Sequence, residues 1–126
     1  MDVRQTLAAE ALPRILRHHI EAYRTHDLDA LMATMADGAL VNDIRREFLG
    51  HAAIRAWAEA EIIAPKVTLE VATAFEHLGD PIVRFRVDGD FDKTNLPNPL
   101  VLTYYFAIRE GRIAQLIILH NTAVAA

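Results

Sequence analysis

The sequence predicts a single α+β domain in which helices come first and a curved, mostly antiparallel sheet follows. Three observations carry that expectation. Apolar residues recur with helical spacing through the first half of the chain, they alternate with period two from Val67 onward, and turn signals separate the later runs. At 126 residues the chain has one domain's length and enough material for a core without disulfides or metal staples.

Leu12, Ile15, Leu16, His19, Ile20 and Tyr23 form the apolar stripe of a first helix, with Pro13 suited to its first turn. A longer, kinked helix that takes in residues 3–11 is the alternative, since Leu7 and Ala8 extend the stripe. Asp27 then reads as an N-cap and Asp29 as a first-turn acid, opening a short helix faced by Leu28, Leu31, Met32 and Met35. Asp37-Gly38 ends it. A buried strand over 39–42 follows and delivers Asp43 to the mouth of a pocket. Arg45, Arg46 and Glu47 read as a solvated excursion before a third helix over about 51–64, with Ile54, Trp57, Ala58 and Ile62 on one face and Pro65 as its stop.

In the second half Val67, Leu69, Val71, Thr73 and Phe75 share one face of a strand, and residues 79–81 turn the chain. Val83, Phe85 and Val87 alternate with Arg84, Arg86 and Asp88, which puts the two arginines on the polar outer face. Residues 92–99 form a loop, and strands over 100–108 and 113–121 join through Glu110-Gly111. These last strands are apolar on both faces. Three helices cover one face, so the other is expected to meet a second subunit in a homodimer.

Composition narrows the function classes. Lys and Arg number 13 against 17 Asp and Glu, a net charge of −4, with no basic block to hold nucleic acid or an anionic membrane. Cysteine is absent, which removes thiolate chemistry and a disulfide framework. No signal-peptide core or membrane span is evident, so a cytoplasmic location is expected. The histidines lack metal-ligand spacing, and neither a phosphate-cradling Gly-rich loop nor a nucleophile elbow is present. Acid/base chemistry with no metal or cofactor is the expectation that remains.

Three runs carry a resemblance: residues 23–31 (Tyr-Arg-Thr-His-Asp-Leu-Asp-Ala-Leu), 35–43 (Met-Ala-Asp-Gly-Ala-Leu-Val-Asn-Asp) and 50–55 (Gly-His-Ala-Ala-Ile-Arg). With the element order, they resemble the SnoaL-like group of the nuclear transport factor 2-like (NTF2-like) superfamily, which includes ketosteroid isomerases and polyketide cyclases. The resemblance implies a cystatin-like cone, with three N-terminal helices packed on a curved sheet that encloses a pocket. In the isomerases an aspartate at the end of the first strand moves a proton between carbons, and Asp43 matches it. Their tyrosine donor falls where this chain has His19, and their protonated aspartic acid falls where it has Tyr104. Some cyclases of the group place an acid/base residue on the last strand, close to His120.

Each candidate has a plainer alternative. A carboxylate at a pocket of Leu, Ile and Phe would be partly desolvated, which favours proton uptake and suits Asp43 to a general base; otherwise it caps a turn through Ile44. His19 faces inward, as a hydrogen-bond donor to substrate or as a satisfied core histidine. Tyr104 and His120 share the concave phase with Leu102, Phe106, Leu116 and Ile118, although one β-bulge would exchange Tyr104 for Tyr105. Tyr23 and Trp57 either line the pocket or pack the core. Asn42 points away from Asp43 by strand phase.

The expected function is therefore isomerase-, cyclase- or hydratase-type chemistry on a small apolar carbonyl compound. Asp43, His19, Tyr104 and His120 would be the catalytic groups, and Tyr23, Trp57, Phe85, Phe106, Leu116 and Ile118 the binding wall. A non-catalytic binding module and a purely structural association domain are the alternatives. Absence of free volume near Asp43 would favour the last.

Overall fold

The computed structural model describes residues 4–120, so Val3 and Asn121 of the expected elements lie outside it. Strand β1 (Arg4–Thr6) and a 3-10 turn (Ala9–Ala11) precede α1 (Arg14–Arg24) and α2 (Leu28–Ala33). Then come β2 (Met35–Asp43), β3 (Arg46–Leu49), α3 (Gly50–Ala58) and a π-helical turn (Glu59–Ile63). Four longer strands complete the chain: β4 (Thr68–His77), β5 (Asp80–Asp88), β6 (Val101–Arg109) and β7 (Arg112–His120). The sheet is curved and open, in the order β1-β4-β5-β6-β7-β2-β3, and among the described residues its one parallel pair is β2 with β7. Three helices are present, but they do not all precede the sheet: β1 comes before α1, and the β2–β3 hairpin separates α2 from α3.

The helices form for the reasons legible in their residues. In α1 the inward stripe buries Leu16, His19, Ala22 and Tyr23. The Asp27 side chain accepts the Ala30 N–H at 3.0 Å and caps α2, an interaction that contributes about 1 kcal/mol in typical helices. Met35, expected on the second helix, is instead the first residue of β2 and pairs with Ile113. α1 packs on α2 and β4, and α3 packs on β2 and β3.

The stretch expected to be a solvated excursion is a hairpin. Asp43 pairs with Arg46 across a two-residue turn, Ile44-Arg45, in which both residues have positive φ (49° and 74°), the geometry that matches strand twist. A β-branched residue is costly there. Asn42 Oδ1 accepts the Arg45 N–H at 2.8 Å and Ile44 N–H bonds Ile118 O at 3.0 Å, and these bonds hold the turn.

A bulge at Ala72 breaks the single face expected of Val67, Leu69, Val71, Thr73 and Phe75. Val71 pairs with Phe85 but Thr73 pairs with Arg84, so the strand's phase flips between them. Ala74 is consequently buried, and Phe75 turns to the outer face, where the Arg84 guanidinium lies 5.0 Å from its ring centroid. A second bulge, between Ala107 and Ile108, falls past Tyr104 and leaves Tyr104 inward and Tyr105 outward. The core gathers Val83, Phe85, Leu102, Phe106, Leu116 and Ile118 of the sheet against Leu16, Leu31, Ile54 and Trp57 of the helices.

Candidate functional site

The end of β2 places Asp43 at a cavity of about 160 Å³ between the sheet and the turn after α3. Its side chain is 16% exposed, so it sits at the mouth. Oδ2 accepts two hydrogen bonds, from Trp57 Nε1 at 3.0 Å and from the Arg46 guanidinium at 2.8 Å. Among the described residues no hydrogen bond reaches Oδ1. The expected capping partner is different too: the turn is held by Asn42, which leaves Asp43 out of it.

Arg46 also grips Glu61 through two nitrogens, at 2.8 and 2.6 Å, so one guanidinium joins two carboxylates at the rim. Glu61, its hydrogen-bond partner first and then Asp43, hold Arg46 firmly protonated. The same guanidinium lies 5.6 Å from the Phe48 ring centroid, and Phe48 stacks on Trp57 at 5.7 Å. Glu61 lines the cavity, from the π-helical turn in which Ala64 N–H bonds Glu59 O, five residues back, at 3.0 Å.

Two phenols face Asp43 in the cavity. Tyr23 from α1 and Tyr104 from β6 are both buried, with their hydroxyls 3.5 Å apart, at the long limit of a hydrogen bond. Burial raises the proton affinity of each hydroxyl, and the negative charge of Asp43 adds to it, so both stay neutral donors. The bond between them holds the Tyr23 proton and eases loss of the Tyr104 proton, which corresponds to Tyr23 donating; the geometry permits either direction. Whichever donates, one phenolic proton remains for a ligand oxygen.

His19 is buried but does not line this cavity. It packs behind Tyr23 and Phe106, with ring centroids 5.4 and 5.8 Å away. Thr34 Oγ1 gives its proton to Leu31 O at 2.7 Å and therefore accepts from His19 Nδ1 at 2.9 Å. This assigns the tautomer: Nδ1 carries the proton, and Nε2 is a buried lone pair without a hydrogen-bond partner among the described residues. Burial lowers its pKa to about 3.

The remaining sequence candidates divide. Trp57 and Ile118 line the cavity with Tyr23, Tyr104 and Asp43, whereas Phe85, Phe106 and Leu116 are core residues behind that wall. Phe85 meets Tyr104 edge-on at 4.9 Å and fixes its ring. His120 keeps the concave phase opposite Leu102, but it lies exposed at the strand end and does not line the cavity. Sequence reasoning missed Arg46, Glu61 and Phe91. The charged run Arg45-Arg46-Glu47 reads as solvated, and no periodic signal announces a π-turn or a loop aromatic. No group of three or more potential metal ligands occurs among the described residues.

Residues 16–116 match the model of the SnoaL-like domain. The chain belongs to the SnoaL-like family. A Sinorhizobium meliloti protein named as a candidate polyketide cyclase is 33% identical to this SnoaL-like chain, covers 90% of it and 100% of itself, and superposes with a TM-score of 0.79. More distant structures share the fold. A Catenulispora acidiphila protein of ketosteroid isomerase-like fold, in complex with trimethylamine, is 17% identical over 87% of each chain, with a TM-score of 0.71. A Mycobacterium tuberculosis protein in complex with estradiol-17β-hemisuccinate is 15% identical over 86% of this chain and 92% of its own, with a TM-score of 0.70. No curated protein matches the chain.

Proposed function

We propose that this SnoaL-like protein moves a proton at the carbon beside the carbonyl of a small uncharged molecule, with Asp43 as the general base. The observation that carries this reading is the facing of Asp43 by the Tyr23–Tyr104 hydroxyl pair across a cavity with free volume. That volume speaks against a purely structural domain. The cavity's roughly five water-sized places suit a ligand of about five or six heavy atoms, well below the ~300–1,000 Å³ of sites that take drug-sized ligands.

The chemistry follows from the geometry. Oδ2 is held by Trp57 and Arg46, and Oδ1 takes the α-proton. The C–H electron pair becomes the C=C bond of an enolate, whose oxygen accepts the remaining phenolic proton as a hydrogen bond. Return of the proton from Oδ1 to the same carbon exchanges it; from a β,γ-unsaturated ketone the enolate is a dienolate, and return of the proton to its γ-carbon, with the double bond moved into conjugation, completes an isomerisation. Donation comes from the tyrosines, because His19 offers an unprotonated nitrogen and lies outside the cavity. A crystal soaked with cyclopentanone should show the ketone oxygen within hydrogen-bond reach of Tyr104 or Tyr23 and a ring carbon against Asp43. Density placed elsewhere, or none, overturns the reading.

We further propose a homodimer that forms through the sheet's outer face. Tyr105 and Leu119 are 36% and 41% exposed there, beside half-buried Val101 and Ile117. Light scattering should return the mass of two chains at micromolar concentration and that of one chain for Leu119→Lys. A wild-type monomer would remove this part without touching the cavity.

A further inference from the structure

A larger cleft of about 750 Å³ adjoins the cavity, and nothing in the chemistry above uses it. Val87, Phe91 and Leu100 line both spaces, so these three side chains form a common wall. The wall is anchored. Val87 N–H bonds Leu100 O at 2.9 Å, and Asp90 N–H bonds Pro65 O at 2.6 Å at the root of the segment that carries Phe91. At that root the chain passes so close that a Cβ on Gly89 would lie 3.0 Å from the Pro65 carbonyl oxygen.

Beyond the wall the cleft offers Leu96, Pro97 and Pro99 as apolar surface. Its charged residues come in opposite pairs: Arg86 with Glu70 at 3.3 Å, and Lys93 with Asp88 at 2.6 Å. Each pair is exposed and internally neutral, so the cleft gives an ionic ligand little to gain. It does offer an apolar chain a place to leave water.

The geometry points to a two-chamber site for an elongated, uncharged ketone: the carbonyl end occupies the inner cavity, and a hydrocarbon portion passes Phe91 into the outer cleft. This rests on the reading of the inner cavity given above. It also joins a small inner space to a larger one whose apolar strip, Leu96, Pro97 and Pro99, runs between the neutral charge pairs and polar Thr68 and Asn98. Phe91 and Leu96 then set ligand length, Phe91 at the divide and Leu96 along the cleft.

Trp57 is the chain's only tryptophan and lines the inner cavity, so its emission reports entry there. The test is a titration of the full chain with 2-butanone, 2-pentanone, 2-heptanone and 2-nonanone, read as saturable quenching. The inner cavity is filled at about 2-pentanone. Two chambers predict that affinity keeps rising past that point, by about three- to fourfold per added methylene. Leu96→Asp, which touches only the outer cleft, should weaken 2-nonanone by about tenfold or more and leave 2-butanone unchanged; the unchanged short ketone also reports an intact fold. A plateau after 2-pentanone, or equal weakening of short and long ketones by the variant, overturns the two-chamber site while the inner site stands. Absence of quenching across the whole series overturns both.

Discussion

Asp43→Asn is expected to lower the protein-catalysed exchange of ketone α-hydrogens for deuterium by about 10²–10⁴-fold, the range a positioned general base supplies. The amide is close in size to the carboxylate and can still accept from Trp57 Nε1, so the cavity should keep its shape. It has no anionic oxygen to take a proton, and it leaves Glu61 as the one carboxylate on Arg46. The measurement is the loss of α-proton signals from cyclopentanone in deuterated buffer, beside Trp57 emission as a check of fold. Exchange at the wild-type rate in a folded variant would remove Asp43 from the chemistry. Saturable binding with no exchange in either protein would make this a binding module.

The second large effect is on stability and comes from His19. Its folded pKa of about 3 lies below the unfolded value of about 6.5, because burial against Tyr23, Phe106 and Thr34 disfavours the imidazolium. Below pH 6.5 the unfolded chain therefore binds the proton that the folded chain refuses. The contribution is fully present above about pH 6.5 and is lost as pH falls toward 3, by about 1.4 kcal/mol per pH unit. Between pH 7 and pH 4.5 this amounts to about 2–3 kcal/mol. Urea unfolding of the wild type and of His19→Phe at both pH values should differ by that amount in their pH-dependent loss. Carboxylates such as Asp80, whose folded pKa is depressed, also lose stability in acid, but equally in both proteins. Equal losses in the two proteins would mean that His19 is protonated in the folded state.

Local signals were legible in the sequence and relational ones were not. Asp27 announces a cap because its partner, Ala30 N–H, is three residues away. Asp43 and Tyr104 are placed by strand phase, a period-two property that holds between bulges: Asp43 follows the irregularity between Met35 and Leu40, and Tyr104 precedes the one between Ala107 and Ile108. Phe75 could not be placed, since the bulge at Ala72 leaves no mark in hydrophobicity. His19 was readable as inward-facing, but its tautomer depends on Thr34 and Leu31, which only the packed α1–α2 pair brings near. Arg46 looked solvated because a guanidinium that bridges Asp43 and Glu61 is recognisable only once a hairpin and a π-turn have met. The site's rim is thus a product of tertiary structure, whereas Asp43 and Tyr104 are each carried by a single strand.

Deuterium uptake by a small ketone measures most directly whether this cavity moves a proton beside a carbonyl. Cyclopentanone incubated with the wild-type chain in deuterated buffer at neutral pH should lose its α-proton signals at a rate that saturates with ketone concentration and exceeds that of an equal concentration of free acetate. Uptake no faster than with acetate, at ketone concentrations that saturate Trp57 quenching, would contradict the claim and leave a cavity that binds without reacting.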